Sequence, residues 1–564
     1  MPTLNGTSGS DFLVGSILDD TINGKSGSDI LVGDLFNAGA GHPDIILECN
    51  AGVGADFYPL TDGANNVSHA SHNDWIDDGS GSDRVVGDAF AIEYAELQLN
   101  ALSGTGGLFG GDGGNNNSVR CFSDIFVPGT GSDLLVGDVF HIDGQDDAEL
   151  NAAAGSSGLG HFSFFPHGPG GNGGDGNLTE AFNDFMSDDA PNAGGDLIVG
   201  DVYGIGGSTE FLNALAGAAG RDGGDGGNDN VVRAFNDQLV GGTGSDQLVG
   251  DVLGENGNDD MVFNAFAGTG GDGATGGDGG DNNTVDAFAD ILFGGTGGDL
   301  LIGDAFQNTD PTQDIDFFLK AGAAGSGGSL GGTGNTLNAF SDSLFGNQGD
   351  DFLIGDSFRV SGTDAIEVLV AGSAGNTINA FQDHLDGGLG SDRLIGDFFG
   401  GGTSDPALLD ISGSFTGRNR LFADSLYGDS GSDQLTGGLG ADTMTGGSGK
   451  DVFFFVAGDL FDLSGGVPLG TPPVDLITDF KPFGADVLNF SDLLSSLGFD
   501  LPGGDNINDW LAYQVVGNNS TILIDQDGAG GAFTTFESML DLANFTSIAN
   551  AVSTMVSLGE VVII

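Results

Sequence analysis

Basic residues are scarce in this chain: 12 lysines and arginines face 82 acids in 564 residues, a formal net charge of −70. A field of that sign excludes nucleic acid as a partner. Glutamate is scarce as well, at 10 of the 82, so the acid is aspartate, whose short arm suits turns and calcium coordination. Two cysteines, Cys49 and Cys121, exclude a disulfide scaffold. Cys49 matches Leu99 and Leu212 in the repeat, and Cys121 matches Ala234 and Ala287, so both read as buried thiols. Proline is 14 against 108 glycines, which excludes the collagen pattern, and 38% hydrophobic content excludes simple low-complexity disorder. No apolar run approaches the ~18 residues that span a bilayer. The opening MPTLNGTSGSDFLVG has neither a basic nor an apolar leader region, so no conventional signal peptide and no membrane span are expected.

What is present is repetition. The string Gly-Ser-Asp-x-Leu-Val-Gly-Asp and its variants recur at 27–34, 81–88, 131–138, 194–201, 244–251, 297–304, 349–356 and 390–397, a period of about fifty residues. A second motif, Asn-x-x-x-x-Phe-x-Asp, precedes it, as in Asn230/Phe235/Asp237 and Asn283/Phe288/Asp290. Nine residues separate most neighbouring motif aspartates, including Asp11, Asp20 and Asp29, and Asp424, Asp433, Asp442 and Asp451. At 433–451 the text is Gly-Gly-x-Gly-x-Asp-x-U-x in tandem, U being a large apolar residue. Glycines allow the tight turn and expose carbonyls, the aspartate adds a carboxylate, and x-U-x is a short strand with one side chain inward. Calcium takes six to eight oxygens, more than one turn supplies, so stacked turns are expected to share ions.

This pattern resembles the RTX, or hemolysin-type, calcium-binding repeat. The resemblance implies an all-β fold, a right-handed parallel β-solenoid or β-roll, with turns eighteen residues apart stacked so that Asp424 meets Asp442 and Asp433 meets Asp451. The expected calcium ligands are Asp11, Asp20, Asp29, Asp74, Asp83, Asp124, Asp133, Asp196, Asp237, Asp246, Asp290, Asp299, Asp342, Asp351, Asp383, Asp392, Asp424, Asp433, Asp442 and Asp451. The aspartates after each motif glycine, Asp34, Asp88, Asp138, Asp201, Asp251, Asp304, Asp356 and Asp397, read equally as calcium ligands or turn caps. The fifty-residue units depart from the plain roll by an insertion after each Gly-Asp, which predicts a larger coil of three or four short strands. Asn50, Asn100, Asn151, Asn213 and Asn264 then form an asparagine ladder, and the motif phenylalanines an aromatic stack, with His72 in a phenylalanine position.

From Asp451 glycine thins and helix-like segments appear, an order that resembles the C-terminal target domain of RTX proteins exported by type I secretion. It implies a small α+β secretion and capping domain. The expected organisation is nonapeptides at 1–40, super-repeats at 41–427, tandem nonapeptides at 428–455 and the C-terminal domain at 456–564. The resemblance implies a secreted chain, extracellular or on the cell surface, that meets the type I apparatus during export. The histidines form no His-Glu-x-x-His, and Gly-Gly-Ser-Leu-Gly at 327–331 lacks a nucleophile elbow's context, so no enzyme is expected. The repeats begin near residue 6, leaving an edge open to head-to-tail contact. The expected role is a self-associating structural subunit of a filament, S-layer or matrix. The alternatives are an adhesin binding through the loops 102–117, 155–177 and 270–283, or a carbohydrate-active β-helix.

Overall fold

The x-U-x triplets form three-residue strands with the middle side chain inward: Leu239 in Gln238–Val240 and Leu248 in Gln247–Val249 are fully buried. The computed structural model describes residues 3–16, 21–33, 35–38, 45–51, 67–71, 75–77, 84–87, 89–92, 96–103, 115–127, 132–142, 147–154, 172, 174–187, 196–205, 209–219, 225–255, 260–269, 278–308, 314–324, 332–358, 365–370, 376–399, 409–412, 415–416, 422–456, 474–481, 486–525, 536–545, 552–558 and 561–563. In a representative coil, face A is Gln238–Val240, face B Gln247–Val249, face C Val252–Glu255, face D Asp260–Ala267 and face E Thr284–Ala287. Face A then returns at Ile291–Thr296. The coil thus has five strands, not the three or four expected from sequence. The Gly250-Asp251 pair alone turns face B into face C, so Leu-Val-Gly-Asp-Val-Leu reads as one strand although it makes two. In Phe352–Phe358 the same stretch does run as one strand.

Every face pairs in parallel with its counterpart one coil on, for example Leu239 with Leu292, Leu248 with Leu301 and Val285 with Leu337. The sheets hold 15 strands on face A, 13 on B, six on C and eight each on D and E. Faces A and B also run through both ends, where successive turns lie 18 residues apart, as in Asp11 to Asp29 and Asp424 to Asp442, against 53 in Asp237 to Asp290. The molecule is therefore a two-faced roll into whose middle coils three further strands are inserted, between face B and the next face A.

Two apolar cores result. Between faces A and B runs the single file of inward residues, Leu239, Leu292, Leu344 and Leu385 opposite Leu248, Leu301, Leu353 and Leu394. Faces C, D and E enclose the second, filled by the phenylalanine column and by alanines such as Ala214, Ala234, Ala265 and Ala287. The expected stack is present: Phe122, Phe182, Phe235, Phe288, Phe340, Phe381 and Phe422 lie with ring centroids 4.3–5.0 Å apart and planes within 7° of parallel. Each has φ between 50° and 58°. That left-handed corner is costly for a residue with a β-carbon, but it points the ring into the second core and sets the aspartate two residues later on the turn into face A.

Asn117, Asn177, Asn230, Asn283, Asn335 and Asn376 form a buried ladder in which each Oδ1 accepts the backbone N–H of the preceding member at 2.7–2.9 Å. On face D Asn100, Asn151, Asn213 and Asn264 align in register, with Asn264 Nδ2 donating to Asn213 Oδ1 at 2.8 Å, but Asn50 is a correction: it pairs Leu102, and Asn100 pairs Glu48. Cys49 accordingly aligns with Ala101, not with Leu99. Cys121 aligns with Ala181, then Ala234 and Ala287, and is fully buried. His72 and residues 270–277 lie outside the described residues.

At the C-terminal end the two roll sheets continue through Asp475–Ile477 and Val487–Asn489, then Glu537–Leu542 and Val561–Val562. The antiparallel strands Asn519–Ile524 and Leu511–Val516 finish face A. Short helices α1 (Ser491–Ser496) and α2 (Val552–Leu558) contribute Leu493, Leu494, Val552 and Met555 to the A/B core and close it.

Candidate metal centre

Winding places the motif aspartates in two columns. On the glycine turn from face A to face B stand Asp11, Asp29, Asp133, Asp196, Asp246, Asp299, Asp351, Asp392, Asp433 and Asp451. Each backbone N–H is bonded by Oδ1 of the next at 2.7–3.1 Å wherever both partners are described. On the turn into face A stand Asp124, Asp184, Asp237, Asp290, Asp342, Asp383, Asp424 and Asp442, linked in the same way at 2.5–2.9 Å. Asp20, Asp74 and Asp83 lie outside the described residues. The expected pairs Asp424/Asp442 and Asp433/Asp451 are both formed.

Three members of the columns are not revealed by the nonapeptide spacing: Asp184, which lies 12 residues before Asp196 and is absent from the expected ligands, and one more at the end of each column. Asp475 continues the second column from Asp442, and Asp486 the first from Asp451. Their only signal in the text is an aspartate opening an apolar triplet, Asp-Leu-Ile and Asp-Val-Leu.

Along the columns Oδ1 holds the ladder, and in Asp237, Asp246, Asp290, Asp299, Asp342 and Asp351 Oδ2 is buried without a donor. A third set joins the second column. Asp201, Asp251, Asp304 and Asp356, from the Gly-Asp pairs, are fully buried. Carboxylate oxygens of Asp138/Asp184/Asp201, Asp201/Asp237/Asp251, Asp304/Asp342/Asp356 and Asp356/Asp383/Asp397 lie within 4.8 Å of one another. The glycine of each pair is packed where a side chain cannot go: a β-carbon on Gly303 would overlap Asp342 Oδ2 and the Gly355 carbonyl.

Burial sets the electrostatics. On the turn column, desolvation pushes Asp246, Asp351 and Asp433 up to about 7 and Asp392 and Asp451 to about 6, against the lowering effect of the backbone N–H that each accepts. Along the deeper seam, Asp201, Asp237, Asp251, Asp290, Asp304, Asp342 and Asp356 are pushed well above the carboxylate range, first by desolvation and then by one another's charge. A turn aspartate is shielded by little more than glycine backbone, whereas a seam aspartate lies between two apolar cores. Surface ion pairs, Arg120 and Arg233 with Glu180 and Arg233 with Asp286, run along face E.

These residues fit a hard divalent cation. Turn carbonyls and donor-less carboxylate oxygens are the ligand set that calcium takes. Two lysines act as stand-ins: Lys25 Nζ donates to the Gly6 carbonyl at 2.6 Å, and Lys481 Nζ to the Gly447 carbonyl beside Asp479. A cationic group is thus already seated on turn carbonyls at two places.

Fold and site together define a calcium-binding protein of stacked Gly/Asp turns. The family of RTX calcium-binding nonapeptide repeats matches residues 5–38, 71–91, 336–359, 379–399 and 421–453, and the chain carries repeats of that family there. No curated protein matches the chain. Among solved structures it is similar to the AlgE6R3 subunit of the mannuronan C5-epimerase of Azotobacter vinelandii. The identity is 26%, over 32% of this chain and 77% of that one, with a TM-score of 0.20.

Proposed function

We propose that the chain is a secreted structural protein that folds on calcium outside the cell and associates with copies of itself in a filament, S-layer or matrix. The reading covers a non-enzymatic role and passage through a type I export apparatus before folding. In calcium-poor cytosol the like charges oppose compaction and keep the chain expanded, as threading requires. Outside, calcium that binds only folded turns draws the chain into the solenoid. The twenty motif aspartates named from the sequence, together with Asp184, Asp475 and Asp486, are its proposed ligands.

Self-association is carried by one observation. Trp75, Ile125, Phe185 and Ile291 stand in one outward column of face A, paired coil to coil with Gln238 between the last two. They are 46%, 38%, 39% and 40% exposed. A repeating apolar row on an exposed parallel sheet face suits lateral contact with a second copy. Negative-stain microscopy of the purified chain in millimolar calcium should show ordered polymers, lost when Trp75 and Phe185 are both changed to aspartate. Dispersed single particles of the unaltered chain under those conditions would overturn the self-association and leave calcium binding standing.

A further inference from the structure

The four triads are not separate clusters. Asp201 belongs to two of them, and so does Asp356. Between these pairs the Gly250-Asp251 turn packs directly on Asp290 Oδ2 and on the Gly303-Asp304 turn, so the row runs on from Asp138 to Asp397. The backbone keeps it in line, with the Asp201 N–H donating to the Asp251 carbonyl at 3.1 Å and the Asp251 N–H to the Asp304 carbonyl at 3.0 Å.

Both carboxylate oxygens of Asp201, Asp251, Asp304 and Asp356 are fully buried and meet no donor. Successive members can bond to one another only by holding a proton, as the Asp304–Asp356 contact requires. At neutral pH the alternative is a metal. Each coil adds two carboxylates to the row, one from Gly-Asp and one from the Asn/Phe motif, and a single divalent ion per coil neutralises both. Monovalent ions would need twice the number of sites in the same space. A trivalent ion would leave excess positive charge in a dry interior, which is costly.

We propose that this row is a continuous internal file of calcium ions, one per coil, in which each Gly-Asp carboxylate bridges two successive ions, distinct from the ions of the glycine turns. The proposal rests on the calcium-binding reading and adds a second class of site to it. The insertion that widens the coil interrupts the nonapeptide turn after its first glycine. The aspartate at that point supplies oxygen where the plain turn at Gly437-Gly438 has only backbone, and Gly438 does align with Asp397. Ions in the file lie between two apolar cores and leave only when a coil opens, whereas turn ions sit under one layer of backbone.

The test uses the full chain loaded with radioactive calcium and chased with excess unlabelled calcium. Two pools are expected, the slow one exchanging roughly tenfold or more slowly than the fast one. The double variant Asp251→Asn/Asp304→Asn should lose at least two ions from the slow pool and keep the fast pool. A single fast pool in the unaltered chain, or an unchanged slow pool in a folded variant, overturns the file. If the variant does not fold, the chase on the unaltered chain decides alone. Absence of bound calcium before any chase is a different result and overturns the calcium reading itself.

Discussion

With calcium chelated, lowering the pH from 7.5 to 5 should raise the β-structure of the chain, the reverse of ordinary acid denaturation. In the folded coil Asp246, Asp351 and Asp433 hold their protons up to about 7, against 3.8 for an unperturbed aspartate. A carboxyl whose folded pKa is raised favours the folded chain below the unfolded value and loses that contribution as pH rises through the folded one. At pH 7.5 every such group in a metal-free coil opposes folding. For Asp246, the two pH units between 7 and 5 correspond to at most about 3 kcal/mol, which solvent screening reduces. The deeper seam adds to this in the same direction, its members being raised further. By pH 5 the folded coil retains most of these protons while the unfolded chain has released most of its own, and the chain is still above its pI of 4.1, so it stays in solution. Far-UV circular dichroism in chelator at the two pH values measures the effect. A signal that is flat or falls on acidification would contradict it. Calcium-loaded protein should behave oppositely, because protons compete for the same oxygens and weaken binding as pH falls.

Replacing Phe288 by alanine should cost about 3–5 kcal/mol, measured by urea unfolding in saturating calcium. The ring is fully buried between Phe235 at 4.8 Å and Phe340 at 5.0 Å, with Phe263 edge-on at 6.1 Å. Alanine retains the left-handed corner at φ 54° and forfeits the contacts that offset it. The damage should extend beyond packing, since Asp290 lies two residues on and takes its place in the seam from that corner. In a stacked array each coil contacts only its neighbours, so the loss is felt there first. Phe288→Leu, which keeps most of the buried volume, should cost clearly less. A loss below about 1 kcal/mol for the alanine variant would show that the stack does not hold the coil closed.

Much of this architecture is legible in the text because the columns are columns of identical residues. The nine-residue spacing of Asp424, Asp433, Asp442 and Asp451 places alternate members on the same edge, and the structure stacks them so. The recurring phenylalanine foretells the aromatic stack, although nothing in the sequence announces its left-handed backbone. Register is less legible where the signal is alternation alone. Shifting Asn50 by two residues keeps the same side chains inward, so the pattern Leu-Glu-Cys-Asn-Ala fits either pairing. The Gly-Asp role is legible only as one of two readings, calcium ligand or turn cap. Asp251 lies across faces A and B from Asp237 of its own coil, but it meets Asp201 of the preceding coil only because faces C, D and E close the circuit, and the variable loops between them hide that closure from any fixed spacing. Asp475 and Asp486 escape for the same reason, lying 33 and 35 residues from their partners instead of 18.

The central claim is that calcium neutralises carboxylates the fold cannot otherwise bury. The most direct measurement is far-UV circular dichroism of the purified chain at pH 7.5, titrated with calcium from a chelated start, with bound ions counted on the same samples. The account predicts little β-structure in chelator and a cooperative rise that tracks the ion count and reverses on renewed chelation. Full β-structure in chelator at pH 7.5, unchanged by calcium, would contradict it.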